Sequence, residues 1–446
     1  MTAATVIRPL APSEAIFANS EVLVGYSLRV AGRLDLAALA AAFEAVVRSR
    51  PILGAHLEPD GRGGHLLLES PEAAAELTVA EGDPERLLTG ARLDQRRALA
   101  SLGVVRDGAT AGVTLVTHHS VADACHSLAV FAELWSCYTD LVRRRPGELP
   151  QHGFPRSVED LLHERGVRKI GAPAMPHRPM GAARSCPDPE DPGYLLPRTA
   201  RCRLTRKQTA ALVELGHREN TTINGLASAA ILLTEAELRG LPLTDLAYSY
   251  SVDLRTRVTP PIGMTEGTNV LGFANFVPTR RNGATLVELA RGISDALRAG
   301  LGTGMVQQTP LHIPEITAGP PPRAPGIVLT TNWGRVRRPR VPEELRITDF
   351  RSIMLGKPDK TGHRLQQPSG TIIISTFDDR LSIEIHHPEE TTEEQRVRVR
   401  LLARHLSEFS AAGAPRRSGA GSPSLKVRRQ HAAIRSETEP CRGAAE

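Results

Sequence analysis

Two adjacent histidines, His118 and His119, end an apolar stretch that is rich in β-branched residues, Val113 to Thr117. Such a run predicts a strand. Asp123 follows the second histidine by four residues, and a helical pattern begins directly after it. Imidazole titrates near neutral pH, so a histidine can take up a proton and return it within one catalytic cycle. A histidine at the end of this strand is therefore a candidate general base in a cleft.

Only one of the two histidines can face that cleft, because neighbouring residues of a strand point to opposite sides. Paired histidines also occur by chance, and a histidine beside an apolar strand is usually structural. Spacing alone therefore leaves a catalytic and a structural role open. An aspartate four residues further on can turn back under the loop and hold it, so a catalytic and a structural role are open for Asp123 as well.

Residues His118 to Asp123 resemble the HHxxxD motif of the superfamily of condensation domains and chloramphenicol acetyltransferase. The chain resembles more closely the polyketide-associated acyltransferases of the phthiocerol/phthiodiolone dimycocerosyl transferase type, over roughly residues 5–405. Further matching stretches lie at 6–10, 157–162, 165–169, 230–235 and 252–255. The family's motif is usually followed by glycine, whereas Ala124 stands here, a difference that should not affect proton transfer.

The resemblance implies an α/β (α+β) fold of two chloramphenicol acetyltransferase-like half-domains, each a mixed sheet flanked by helices, with a channel between them. We expect the first half at 1–165 and the second at 200–411. The proline-rich stretch 166–199 is interpreted as a crossover linker. Residues 412–446 are rich in Gly, Ala, Ser, Pro and Arg without periodicity, which predicts a disordered basic tail.

The resemblance also implies a role for individual residues. His119 would be the general base, with His118 supporting the loop. Asp123 would form a structural salt bridge with Arg255, for which an ordinary surface arginine is the alternative. Asn275 and Asn332 are weaker candidates for lining the cleft. A second pair, His386-His387, has Thr391 where the motif requires aspartate, so we expect a solvated strand end there.

Composition limits the other functional classes. The chain has 446 residues, 41% of them hydrophobic and 23% charged, which is ordinary for a globular protein of two domains. Its five cysteines show no CxxC spacing, which favours a reducing cytoplasm and no metal site. We expect no signal peptide and no membrane span. The net charge is +6, but the tail contributes seven basic and three acidic residues, and aromatics are only 4%, so nucleic-acid binding is not expected.

The resulting prediction is a monomeric O-acyltransferase that needs no cofactor. Its donor would be acyl-CoA or an acyl carrier protein, and its acceptor a polyketide-like or lipid alcohol. An amide-forming condensation enzyme and a non-catalytic, carrier-protein-binding domain are the alternatives. A pure binding domain would not need the HHxxxD motif. The basic run Arg335–Arg340 is either a solvated loop or a docking site for CoA phosphates or an acidic carrier, and both interpretations stay open.

Overall fold

The computed structural model describes residues 5–69, 75–171, 198–280, 282–318, 326–357, 370–387 and 391–411. The strands in these ranges are β1 (Thr5–Pro9), β2 (Leu23–Gly32), β3 (His56–Pro59), β4 (His65–Glu69), β5 (Leu77–Glu81), β6 (Ala100–Asp107), β7 (Thr110–His118), β8 (Arg198–Arg203), β9 (Leu246–Asp253), β10 (Leu271–Phe276), β11 (Gly326–Arg335), β12 (Leu345–Leu355), β13 (Thr371–Phe377) and β14 (Arg380–His387). The helices are α1 (Pro12–Ala18), α2 (Leu36–Ser49), α3 (Ala124–Val142), α4 (Val158–Glu164), α5 (Arg206–Arg218), α6 (Ile223–Arg239), α7 (Leu286–Gly302), α8 (Met305–Gln308), α9 (Ile313–Ala318) and α10 (Thr392–Ala411). Most of the predicted linker and all of the predicted tail lie outside the described residues.

The first large sheet has the strand order β12-β2-β7-β6-β5. Its central strands are antiparallel, and β5 runs parallel to β6. Helices α2 and α3 bury their apolar stripes against it, and Phe43, Leu115 and Trp135 lie in the resulting core. Asp35 precedes apolar residues at helical spacing, which predicts a helix that starts there. Helix α2 does begin after Asp35, whose side chain accepts a hydrogen bond from the backbone of Ala38 at 3.0 Å.

The second large sheet has the order β10-β9-β11-β13-β14-β8, with β11 parallel to both of its neighbours. Its core includes the buried face of α6, which packs against α7 and α10. The spacing of Thr205 with Gln208 and of Thr285 with Glu288 predicts a capping box at each pair. Both are confirmed: the first begins α5 and the second begins α7. A small third sheet joins β1, β4 and β3. The predicted mixed α/β architecture with helix-flanked sheets is confirmed.

One strand crosses between the two halves. The outer strand of the first sheet, β12, comes from the range 200–411 that the sequence assigns to the second half. It pairs with β2 along its whole length, and Glu384 of β14 holds it from the other side by accepting hydrogen bonds from the Arg351 side chain at 2.5 Å and the Ser352 backbone at 2.7 Å. The two predicted ranges therefore do not separate the two sheets, because strand pairing at this edge depends on contacts distant in sequence.

None of the helices in the described ranges is long and apolar enough to cross a membrane.

Candidate active site

The histidine motif occupies the turn between β7 and α3. His118 is the last residue of β7 and pairs with Leu23 of β2, while the backbone N–H of His119 donates to Val22 at 2.8 Å. His118 is fully buried, and its Nδ1 accepts a hydrogen bond from the Ser120 backbone at 3.2 Å. Burial, and after it the neighbouring His119, lowers the pKa of His118 to about 3. His118 is thus a neutral side chain that holds the loop.

His119 points the other way and lines a cavity of about 140 Å³. The ring of Phe17, from α1, stacks on its face with centroids 3.9 Å apart and planes 6° from parallel. The Nδ1 atom lies 3.0 Å from Oδ1 of Asn269, and desolvation lowers the pKa of the imidazole below its usual 6.5. A neutral imidazole on a cavity wall can accept a proton from a bound group.

Asp123 and Arg255 form a buried ion pair between the two halves of the chain. Two parallel bonds of 2.8 and 3.0 Å join the Arg255 guanidinium to the carboxylate, which is wholly buried. The same carboxylate accepts from the backbone of His126 and of Val270, each at 2.9 Å, so it also caps the first turn of α3. It does not line the cavity. The geometry is that of a residue that builds the loop.

The cavity lies between elements of both large sheets. Its lining residues are Phe17, Val24, Tyr26, His119, Ala124, Cys125, Ser251, Asp253, Leu271, Phe273, Leu329, Thr330, Thr331, Asn332, Trp333, Met354, Thr371 and Ile373. A second, mostly apolar cavity of about 360 Å³ adjoins it, since Cys125 and Trp333 line both. Arg335 and Arg337 lie on the wall of this second cavity.

The two predicted cleft asparagines differ in position. Asn332 lines the cavity, and its side chain is fixed by donating to Asn224 at 2.6 Å and accepting from the Gly334 backbone at 2.7 Å. Asn275 does not line it: the residue lies further along β10, beyond Phe273. Alternation places Asn275 on the same strand face as Phe273, but the cavity does not extend that far along β10.

Two hydroxyl or thiol side chains stand close to the histidines. The Ser120 hydroxyl is buried and donates to the Glu14 carbonyl at 2.8 Å, away from the cavity. The Cys125 thiol donates to Asp253 at 3.6 Å. Burial, followed by the charges of Asp123 and Asp253, raises the pKa of this thiol to about 12. Neither group is an activated nucleophile. Within the described ranges no cluster of three or more His, Cys, Asp or Glu side chains could hold a metal ion.

In the second histidine pair His387 is half-buried, but His386 is not solvated as expected. His386 is 3% exposed, and its ring nitrogens lie 3.1 Å from the hydroxyls of Ser352 and Thr199. Burial lowers its pKa to about 4. The prediction of a strand end was correct, but the prediction of solvent was wrong, because β12 and β8 cover this edge of β14. His386 is a structural residue of the contact between the sheets.

Three residues around His119 were missed by sequence reasoning. They are Phe17 on the ring face, Asn269 on Nδ1, and Asp253, which lines the cavity and accepts from Arg255 at 3.1 Å. Asp253 stands in the matched stretch 252–255 and could have been found there. Nothing in the local pattern distinguishes Phe17 or Asn269, since each reaches the histidine through a tertiary contact.

The fold is that of the condensation-domain and acetyltransferase class. The first condensation domain of the calcium-dependent antibiotic synthetase has a similar fold, with a TM-score of 0.62 at 16% identity, over 92% of this chain and 97% of that one. Polyketide synthase associated protein 5 from Mycobacterium tuberculosis is more similar, with a TM-score of 0.77 at 30% identity, over 91% of this chain and all of that one.

Sequence comparison gives the family. Residues 193–386 match the family described as phthiocerol/phthiodiolone dimycocerosyl transferase C-terminus. The phthiocerol/phthiodiolone dimycocerosyl transferase of Mycobacterium ulcerans is 34% identical over 392 residues, covering 85% of this chain and 92% of that protein. That of Mycobacterium tuberculosis is 35% identical over 78% of this chain and 86% of its own length. The chain belongs to the phthiocerol/phthiodiolone dimycocerosyl transferase family and is an acyltransferase.

Proposed function

We propose that the protein transfers an acyl group from a thioester directly to a hydroxyl of a polyketide-like or lipid alcohol, with His119 as the general base. The observation that carries the proposal is the position of His119. Among the described residues that line the cavity, His119 is the one histidine. The names of the relatives, which denote transfer of a dimycocerosyl group, support a lipid substrate.

One base, His119, serves both proton transfers of the reaction. The neutral imidazole of His119 takes the proton of the acceptor hydroxyl as its oxygen attacks the thioester carbonyl. The tetrahedral intermediate then expels the thiolate, which receives the proton back from the imidazolium. The products are an ester and a free thiol, and His119 returns to its starting state.

A covalent acyl-enzyme is not part of this scheme. The Cys125 thiol stays protonated and the Ser120 hydroxyl is committed to a backbone carbonyl, so neither is prepared to attack a thioester. We assign the donor and the acceptor to the two adjoining cavities, which share Cys125 and Trp333. The donor would be acyl-CoA or an acyl carrier protein, and no further cofactor is required.

An assay of purified full-length protein with a matrix of substrates tests the proposal. Acetyl, decanoyl and palmitoyl thioesters, each on CoA and on a carrier protein, would be combined with a long-chain alcohol, a long-chain diol or a matched alkylamine. We expect an ester and a free thiol in equal amounts, detected by mass spectrometry. Amide formation alone would instead favour the condensation enzyme. Carrier binding without any transfer would favour the non-catalytic domain.

A further inference from the structure

We propose that Asn269 is the positioning residue of the base: it holds His119 in the tautomer that carries hydrogen on Nδ1 and leaves Nε2 free to take the substrate proton. The inference rests on the proposed function, in which His119 is the base. It concerns a residue of the second half of the chain that reaches the motif from a sequence distance of 150 residues.

The hydrogen bonds of the Asn269 amide determine which way it faces. Its Nδ2 lies 2.6 Å from the carbonyl oxygen of His119 and 3.2 Å from that of Ser120. Carbonyl oxygens only accept, so the NH₂ group must occupy this side. The amide oxygen therefore faces Nδ1 of His119 at 3.0 Å. Since that oxygen also only accepts, Nδ1 must carry the hydrogen, and the neutral ring keeps its lone pair on Nε2.

Asn269 is itself held rigidly. It is 3% exposed, and both of its chain neighbours bind the motif. The carbonyl of Thr268 accepts from the Asp123 backbone at 2.9 Å, and the backbone N–H of Val270 donates to the Asp123 carboxylate at 2.9 Å. The segment that carries the amide is therefore fixed to the loop that carries the imidazole.

Helix α1 is the second element that holds the His119 ring. Phe17 stacks on the face of the His119 ring, and Glu14 of the same helix α1 accepts from the Thr268 hydroxyl at 2.7 Å. One short helix thus contacts both the ring and the segment that binds its Nδ1. The ring can neither rotate nor flip without breaking contacts on two sides, which is the preorganisation that a general base requires.

Asn269 is a positioning residue and not a substrate contact, because it does not line the cavity. A neutral amide also has an electrostatic consequence. A carboxylate at this position would hold the imidazolium more strongly and raise the pKa of His119, whereas an amide orients the ring and leaves it a neutral base. The charged and titratable groups around the ring include Asp123 with Arg255, Asp253, Glu14, His118, Cys125 and Tyr26, and none of them changes in the variants below.

The test compares Asn269→Ala with Asn269→Asp, and uses Asn19→Ala, at an exposed asparagine, as the matched control. We expect Asn269→Ala to lower kcat by roughly 10–100-fold, the usual effect of losing a partner that orients a functional histidine, while KM changes by less than about two-fold. The pH at which activity falls on the acid side should move in opposite directions in the two Asn269 variants. It should decrease in the alanine variant, which loses an acceptor that favours the imidazolium, and increase in the aspartate variant, which adds a negative charge.

Equal losses in both variants without any shift of the acid limb would overturn the inference and leave Asn269 a purely structural residue. A rise in KM at unchanged kcat would also overturn it, by making Asn269 a substrate contact. A spectroscopic readout does not depend on turnover or on the folding of the Asn269 variants. Nitrogen-15 NMR of the histidine-labelled wild-type protein above pH 8, assigned by comparison with His119→Asn, should show a protonated Nδ1 and an unprotonated Nε2. The reverse pattern would refute the inference even if no substrate had been found.

Discussion

Replacing His119 with alanine should lower kcat by a factor of roughly 10²–10⁴, the contribution typical of a positioned general base. Alanine cannot take the proton of the acceptor, and no second histidine lines the cavity among the described residues. His119 is half-buried and its backbone hydrogen bond to Val22 does not involve the side chain, so the fold should persist. Turnover of a good thioester donor, followed by thiol release, measures the effect.

The control for this experiment is His163→Ala, at an exposed histidine in the last turn of α4. It should leave both turnover and thermal stability unchanged. The assignment of the base would be wrong if His119→Ala kept turnover close to that of the wild type. A variant that had lost its cooperative thermal transition would not be informative about catalysis, so the melting curve is recorded on the same sample.

Of the single variants proposed, Asp123→Ala should destabilise the protein most. It should lower the free energy of unfolding by roughly 3–5 kcal/mol, because it leaves the Arg255 guanidinium buried without its partner. Arg255 is only 2% exposed. The same change removes the acceptor that caps α3 and the acceptor for the Val270 backbone. Activity should fall as well, since this loop carries His119. Denaturant titration measures the loss.

A double-mutant cycle with Arg255→Ala separates the pair from its surroundings, since the double variant should lose less than the two single variants together. The exposed pair Asp295 and Arg298 on α7 is the matched surface control, for which Asp295→Ala should cost no more than about 1 kcal/mol. If Asp123→Asn were as stable as the wild type, inactive and unchanged in its loop, Asp123 would have a direct chemical role instead of a structural one.

The features predicted correctly are those that local sequence encodes. The apolar, β-branched run of β7, the cap at Asp35 and the two capping boxes each depend on residues close together in the sequence, so local sequence specifies them. The resemblance led to Arg255 because the HHxxxD motif and the matched stretch 252–255 can each be recognised as a continuous stretch of sequence. Residue types therefore predicted the strand and the helix on either side of the histidine motif.

What the sequence did not predict depends on pairing between distant segments. Strand β12 joins the first sheet by pairing with the free edge of β2, a contact between residues distant in sequence. In that position β12 also covers His386. Asn269 and Phe17 reach His119 only after the two halves have packed together. A single asparagine in a loop has no periodicity that would distinguish it from its neighbours.

Direct transfer is the central claim, and the intact mass of the protein tests it most directly. The enzyme is incubated with an acyl thioester alone, and its mass is recorded before and after an alcohol acceptor is added. We predict an unchanged protein mass at every stage, with ester formed only once the acceptor is present. A mass gain equal to the acyl group, lost on addition of the acceptor, would contradict the account and demonstrate a covalent acyl-enzyme.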